Sequence, residues 1–236
     1  MDTRKIVKTK GIVLAETNFS EADKMLTVLT PDLGKISCVA KGARRLQNKL
    51  MPIAQVFAFS DMILYRGKSD TYYINSAELI EPFYSLRVDY DKLEVAMSCL
   101  KFIKKNIQEN QSSVSILKLL LNTIYLLSST DKNPEFVKEV YQLKATCLLG
   151  YAPRVLGCLE CNDKNTVGFS MKKNGMVCKK CGIIDKSLIE LKPGTIASIN
   201  YIVNSDLKKL FSFNITEDII KELQLFNKIY INEKLE

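Results

Sequence analysis

Apolar residues recur with the alternating period of a strand through the first 80 positions, then with the three-to-four-residue period of a helix, and the change falls near Pro82. Five strand-like runs cover residues 5–17, 24–30, 35–41, 53–66 and 71–80. Pro31, Asp32, Leu33 and Gly34 make a turn between the second and third runs, and Gly67 to Asp70 make one before the fifth. In the third run Ile36, Cys38 and Ala40 alternate with Lys35, Ser37, Val39 and Lys41, which predicts a strand with one face packed inward. Five short strands joined by Gly/Pro turns fit a small closed barrel of the OB type, with an SH3-like barrel as the alternative.

Beyond Pro82, Leu93, Ala96, Leu100, Ile103 and Ile107 lay an apolar stripe along a helix. SVSILKLLLNTIYLL is apolar nearly all round and predicts a central buried helix. The next helix starts at an Asn133 cap with Pro134 in its first turn and stops at Gly150. Two more are expected, around residues 193–204 and 216–230. The expected class is therefore α+β: an N-terminal five-stranded OB-type barrel at 1–80, then an α-helical domain at 81–236 interrupted once, at about 156–183.

The interruption carries the clearest chemistry. Cys158 and Cys161, then Cys178 and Cys181, form two Cys-x-x-Cys pairs separated by the spacer of a zinc ribbon. Two residues between thiolates let one tight turn aim both sulfurs at a tetrahedral ion, while the spacer doubles back as a hairpin, here expected to turn at Asn174-Gly175. Asn162 and Gly182 follow the two knuckles, and both residue types tolerate left-handed backbone. Four thiolates fill the coordination shell, so the expected cofactor is one structural Zn²⁺. The competing reading is a thioredoxin-like redox pair or two disulfides; a redox Cys-x-x-Cys normally opens a helix after a strand, and nothing in the pattern predicts that here. Cys38, Cys99 and Cys147 lie in apolar segments and read as core residues.

Charge narrows the function. The net charge is +8, which points toward a polyanionic partner, and the chain has no histidine, which removes the commonest general base. No Walker A, G-x-G-x-x-G, H-E-x-x-H or nucleophile-elbow pattern occurs, so no enzyme reading has a constellation to stand on. Glu21 and Asp23 in SEADK look like turn residues. No secretory leader or spanning segment is predicted, because the longest apolar run, within 114–127, is broken by Lys118 and Asn122. A cytoplasmic protein without membrane contact is expected. Lys41, Arg44, Arg45 and Lys49 cluster on the loop between the third and fourth runs, with Lys35 earlier in the third, and are the candidate DNA-binding residues. Lys172, Lys173, Lys179 and Lys180 on the cysteine hairpin form a second candidate patch. Phe57, Phe59, Tyr65, Tyr72 and Tyr73 are candidate stacking platforms or core.

The stretch GIVLAETNFSEADKMLTVLTPDLGKISCVAKGARR, followed later by LKATCLLGYAP, Cys-x-x-Cys and a hairpin beginning GFS, resembles the RecO family of bacterial recombination mediators over nearly the whole chain. The resemblance implies an OB barrel, a helical domain with a zinc ribbon, and a non-catalytic role in recombinational DNA repair at the nucleoid. It implies binding to single- and double-stranded DNA, annealing of complementary strands, and cooperation with RecR in replacing single-strand-binding protein, contacted through its C-terminal tail, by the RecA recombinase. Lys41, Arg44 and Arg45 match the family's basic loop. Asn48 stands where the family commonly has serine, Asn162 where it commonly has glycine, and the usual basic ending is absent, which bears on contacts made by that tail. A zinc-containing RNA-binding OB protein and a Cys-x-x-Cys redox protein are the alternatives.

Overall fold

The computed structural model describes residues 6–67, 71–109 and 111–235. Lys5, expected to open the first strand, and Lys68 to Asp70 of an expected turn lie outside the described residues. Strands β1 (Ile6–Asn18), β2 (Lys24–Thr30), β3 (Gly34–Ala40), β4 (Phe59–Arg66) and β5 (Tyr72–Glu81) close a barrel in the order β1-β2-β3-β5-β4. Only the β3–β5 contact is parallel among these pairings.

Closure depends on β1 serving two neighbours. Its first half pairs with β4, from Ile6 opposite Tyr65 to Ile12 opposite Phe59, and its second half with β2, ending at Asn18 opposite Lys24. Gly11 sits at this changeover. A Cβ there would come within 2.6 Å of Val28 Cγ1 and 3.0 Å of the Leu29 carbonyl oxygen, so only glycine lets the strands approach this closely. Inward residues Val13, Leu26, Val28, Ile36, Cys38, Ala40, Met62 and Leu64 form the core; Ile36, Cys38 and Ala40 face it as expected, while Val39, expected on the outer face, is buried too.

The fourth apolar run departs from expectation. Residues 53–58 form turns, and β4 begins only at Phe59. Phe57 adopts φ of 76°, which ends any extended path. The segment hydrogen-bonds to β1 at Val13, whose N–H donates to the Ala58 carbonyl and whose carbonyl accepts from Phe57 N–H, both at 3.1 Å. Ala54 and Ala58 of this run instead join the barrel core, with Ala43 from the preceding loop, so the run is apolar because it plugs the barrel.

After a 3-10 turn (Tyr84–Val88), helix α1 (Tyr90–Asn106) starts at Asp89, whose carboxylate accepts from Lys92 N–H, and buries Val95, Ala96, Cys99, Leu100 and Ile103. Helix α2 (Val114–Ser129) is not buried all round: Lys118, Asn122 and Tyr125, spaced four and three apart, make an exposed face. Its start is fastened to the β2–β3 turn, where Ser113 N–H donates to Pro31 O and Ser113 Oγ to Thr30 O, both at 2.8 Å. β5 ends at Glu81, while the chain divides into compact units at Met1–Thr130 and Asp131–Glu236, because α1 and α2 pack with the barrel elements.

The second unit contains α3 (Pro134–Leu148), α5 (Pro193–Asn204) and α6 (Glu217–Leu235), with a small sheet and a short helix between α3 and α5. The sheet has the order β7-β6-β8, from β6 (Thr166–Ser170), β7 (Gly175–Cys178) and β8 (Leu188–Glu190), and α4 (Lys179–Gly182) follows β7. Asn133 caps α3 as expected, its side chain accepting from Glu135 and Phe136 N–H groups, and Gly150 follows its end at φ of 99°. Lys144 is buried because its ammonium donates to three carbonyls at the end of α5, those of Ile202, Val203 and Ser205, at 3.1, 2.9 and 2.6 Å.

The small sheet docks on α6 through aromatic rings. Phe169 of β6 meets Phe226 and Tyr230 edge-on, with centroids 5.2 and 5.5 Å away, while Phe226 and Tyr230 stack one helical turn apart. The Tyr230 hydroxyl lies 2.9 Å from both Tyr151 O and Asn174 Oδ1, sharing its single proton between these two acceptors, and so ties the β6–β7 turn to the helix. Tyr230→Phe keeps the ring contacts and loses the shared hydroxyl bond, so it should lower unfolding stability by about 1–2 kcal/mol. Tyr230→Ala also empties a buried ring site and should cost roughly 3–5 kcal/mol. Urea denaturation of the two variants checks this ordering.

Candidate functional site

The four cysteines come together. Cys158, Cys161, Cys178 and Cys181 place their sulfurs within 4.8 Å of one another, with Cys161 Sγ 3.7 Å from both Cys178 Sγ and Cys181 Sγ. A tetrahedral ion with metal–sulfur bonds of about 2.3 Å needs sulfurs roughly 3.8 Å apart, so the spacing fits a metal and is far longer than a disulfide.

Local backbone explains how each pair is aimed. In the first knuckle Asn162 N–H donates to Cys158 O at 2.9 Å and Cys158 N–H to Asp163 O at 2.8 Å, and Asn162 takes the expected left-handed φ, 61°. The second knuckle differs from expectation, since Gly182 is the last residue of α4 and is not left-handed. Cys178 ends β7 and caps α4, which is the strand-to-helix placement that the sequence pattern does not predict. Even so, its sulfur faces three other cysteines, where a redox pair needs only one. The hairpin turn also differs from the expected Asn-Gly pair. Gly175 is paired with Ser170, so the turn spans residues 171–174, and only Asn174 is left-handed, at 57°. Gly175 serves packing instead: a Cβ there would lie 2.6 Å from Leu159 Cδ1 and 2.9 Å from Arg154 O.

Electrostatics within the cluster oppose one another. Burial works to raise the Cys158 thiol, but the backbone N–H groups of Cys178, Cys161 and Glu160 and the Cys161 thiol outweigh it and bring it down to about 6. The Cys178 and Cys161 sulfurs push Cys181 up to about 12. Four thiolates in one shell repel, and a divalent cation at their centre is what removes that repulsion.

The lysines around the cluster separate. Lys172, Lys173, Lys179 and Lys180 are all exposed, and Lys173 pairs with Glu160 at 2.9 Å.

A second candidate site lies at one end of the barrel, where β3 ends and β5 begins side by side, with Cys38 opposite Tyr72 and Val39 opposite Tyr73. Lys41, Arg44, Arg45 and Lys49 leave this end on an exposed loop, and none has an ion pair to a carboxylate among the described residues. The loop is held from beneath by the acidic turn between β1 and β2. Asp23 Oδ1 accepts from Gly42 N–H at 2.7 Å, Arg44 N–H donates to Ala22 O at 3.0 Å, and Arg44 Nη1 donates to Ser20 O at 2.5 Å. Gly42 has φ of 70°, and Asn48 bonds the Lys41 carbonyl across the loop, 3.3 Å away. Asp23 is thus more than a turn residue. Its carboxylate orders a loop whose cations would otherwise drift apart.

Of the candidate aromatics, Phe57 and Tyr72 are core and cannot stack on a ligand. Tyr65 and Tyr73 stack on each other at 5.2 Å with rings 10° apart, and Lys41 Nζ lies 5.3 Å above the Tyr73 ring. Phe59 is half-buried. Lys35 stands apart from this group. It is the second residue of β3, six residues or about 20 Å from Lys41, and its ammonium donates to Lys104 O near the end of α1. Phe19, in the β1–β2 turn and 57% exposed, escaped the sequence reading. Its signal was a lone aromatic among polar turn residues, which no strand pattern accounts for.

If Asp23 orders the basic loop, Asp23→Ala should leave the fold in place, with a loss of about 1 kcal/mol, while trypsin cuts after Lys41, Arg44 or Arg45 several-fold faster. Equal cleavage rates in a folded variant would show that the carboxylate does not hold the loop.

Comparisons with known proteins agree along the whole chain. The family model "Recombination protein O N terminal" matches residues 1–83 and "Recombination protein O C terminal" matches residues 87–236. A protein of Acetivibrio thermocellus named "DNA repair protein RecO" is 38% identical over 98% of this chain and 92% of its own. Proteins of the same name from Caldicellulosiruptor bescii and Alkaliphilus metalliredigens are 34% and 31% identical, over 98% and 96% of this chain and 94% and 92% of theirs. With both halves matched in order and relatives of nearly equal length, the chain belongs to the recombination protein O (RecO) family of DNA repair proteins, which supports a role in recombination repair.

Proposed function

We propose that this chain is a DNA-binding mediator that anneals complementary strands and assists loading of the RecA recombinase on single-stranded DNA coated by single-strand-binding protein. The observation that carries the reading is the loop of Lys41, Arg44, Arg45 and Lys49, unpaired to carboxylates and yet anchored by Asp23 and the Ser20 carbonyl. Cations held in a fixed group, rather than each on a free tether, suit a phosphate backbone. The barrel is read as an OB fold, a reading supported by its closed β1-β2-β3-β5-β4 order and the parallel β3–β5 contact.

Annealing needs no covalent chemistry. Two strands repel through their phosphates, and neutralising charge on both while leaving bases accessible lowers that barrier. The protein is accordingly read as having no catalytic role. RecR and the C-terminal tail of single-strand-binding protein are its proposed partners, with RecA reached indirectly. A cytoplasmic position beside the nucleoid follows from that work, and no helix among the described residues is long and apolar enough to cross a membrane.

The metal is read as a single structural Zn²⁺. Cys158, Cys161, Cys178 and Cys181 would hold it, and a full shell of four sulfurs leaves no position for a reacting water. Cys178→Ser should lose the metal and loosen the β6–β7 hairpin, because only Val177, Leu188 and the cysteines themselves form its local core. Elemental analysis should find one zinc per wild-type chain and none in the variant, and zinc retained after both Cys158 and Cys178 are replaced would overturn the assignment.

Replacing Lys41, Arg44 and Arg45 by Ala tests the DNA reading. Each lost phosphate contact on a single strand lowers the salt slope by about 0.7, so the triple variant should lose roughly 2 from the slope and bind all base sequences more weakly. A folded triple variant with unchanged affinity and slope would leave the loop as solvated surface.

A further inference from the structure

We infer that Phe19 is a base-stacking residue that takes one unpaired base of a bound single strand and so separates single-strand from duplex recognition. The inference rests on the reading of the barrel end as a DNA-binding surface. Phe19 is 57% exposed and is the one exposed phenylalanine among the described residues. A phenylalanine left in water forgoes the burial that would favour it inside, and unlike the exposed tyrosines it has no hydroxyl to hydrate.

Its position is fixed by backbone bonds. Phe19 N–H donates to Asp23 O at 3.1 Å, and Asp23 N–H donates to Ser20 Oγ at 3.1 Å. Arg44 closes the same turn from the other side through the Ser20 and Ala22 carbonyls. A ring on so short and tied a turn has lost much of its freedom before any ligand arrives, which reduces the ordering cost of binding.

Charge decides which part of a nucleotide meets the ring. The exposed Glu21 carboxylate, two residues along the turn, repels phosphate. The Arg44 guanidinium on the neighbouring loop spends one donor of five on Ser20 O and keeps the rest for phosphate. Phosphate is therefore drawn to the loop and excluded from the turn tip, leaving the base to cover Phe19. The other ring system of this end is already engaged, since Tyr73 carries Tyr65 on one side and Lys41 near its face. A base locked in a duplex has both faces covered and cannot reach Phe19, whereas phosphate contacts are available in both forms.

The test titrates wild type, Phe19→Ala, Phe19→Trp and the Lys41/Arg44/Arg45 triple-Ala variant with three probes: a fluorescent oligothymidylate, the same strand with abasic residues, and a duplex of equal length. Phe19→Ala should bind the oligothymidylate on the order of tenfold more weakly, bind duplex within twofold of wild type, and keep its salt slope. The abasic strand should not distinguish Phe19→Ala from wild type, and Phe19→Trp should restore binding. Unchanged single-strand affinity in Phe19→Ala, alongside loss in the triple variant, overturns the inference and leaves the DNA-binding reading standing. Equal loss on single strand and duplex also overturns it, because a ring that only shapes the phosphate surface would behave so. If neither variant changes affinity, the DNA-binding reading fails and the inference falls with it.

Discussion

The mutual repulsion of four sulfurs held within 4.8 Å is the constraint on which the cysteine hairpin of the second unit depends. Thiolates at that spacing are stable only around a cation, and thiols gain little from one another, so the hairpin carries its stabilising term outside its own apolar residues. Its local core is three buried residues with two partly buried ones, four of which are the second Cys pair, Val177 and Leu188. What holds the hairpin to the helices is separate: Phe169 against Phe226 and Tyr230, and the Tyr230 hydroxyl on the turn. The cysteine cluster and the aromatic contacts thus divide the work, one gathering the knuckles and the other docking the sheet.

The barrel handles like charge in another way. Three cations within five residues repel, and the chain offsets this by placing Asp23 under Gly42 and by spending part of Arg44 on a carbonyl. The carboxylate sits at the backbone and leaves the ammonium and guanidinium groups unneutralised. A salt bridge to a side chain would have ordered the loop equally well and removed the charge that a polyanion needs. Lys173, paired with Glu160 on the hairpin, shows that opposite arrangement.

The same turn carries Phe19 and Asp23, so one five-residue connection both displays a ring and fixes the cations beside it. Phosphate and base are different chemical targets, and the turn and the loop offer separate groups to each. Rigidity in that connection comes from backbone bonds, which leaves the exposed side chains available.

Where periodicity or spacing alone dictates structure, the sequence was sufficient: the alternating strands, the Asn133 cap, and the Cys-x-x-Cys pairs whose spacing admits little else. The cysteine spacing, the charge and the order of motifs in GIVLAETNFSEADKM through KGARR also carried the family. Tertiary structure decided what pattern cannot encode. Residues 53–58 are apolar like a strand, yet plug the barrel, because burial in either role demands the same composition. α2 looked buried all round, but only one side of it meets a neighbour. Lys35 and Lys41 are equal as charges in the sequence, and β3 carries them to opposite ends, one onto a helix carbonyl and the other into the basic loop. Phe57 and Phe19 are likewise the same residue in composition. A left-handed backbone turns the first into the core, and a short bonded turn leaves the second in water, since exposure is set by what the rest of the chain brings alongside.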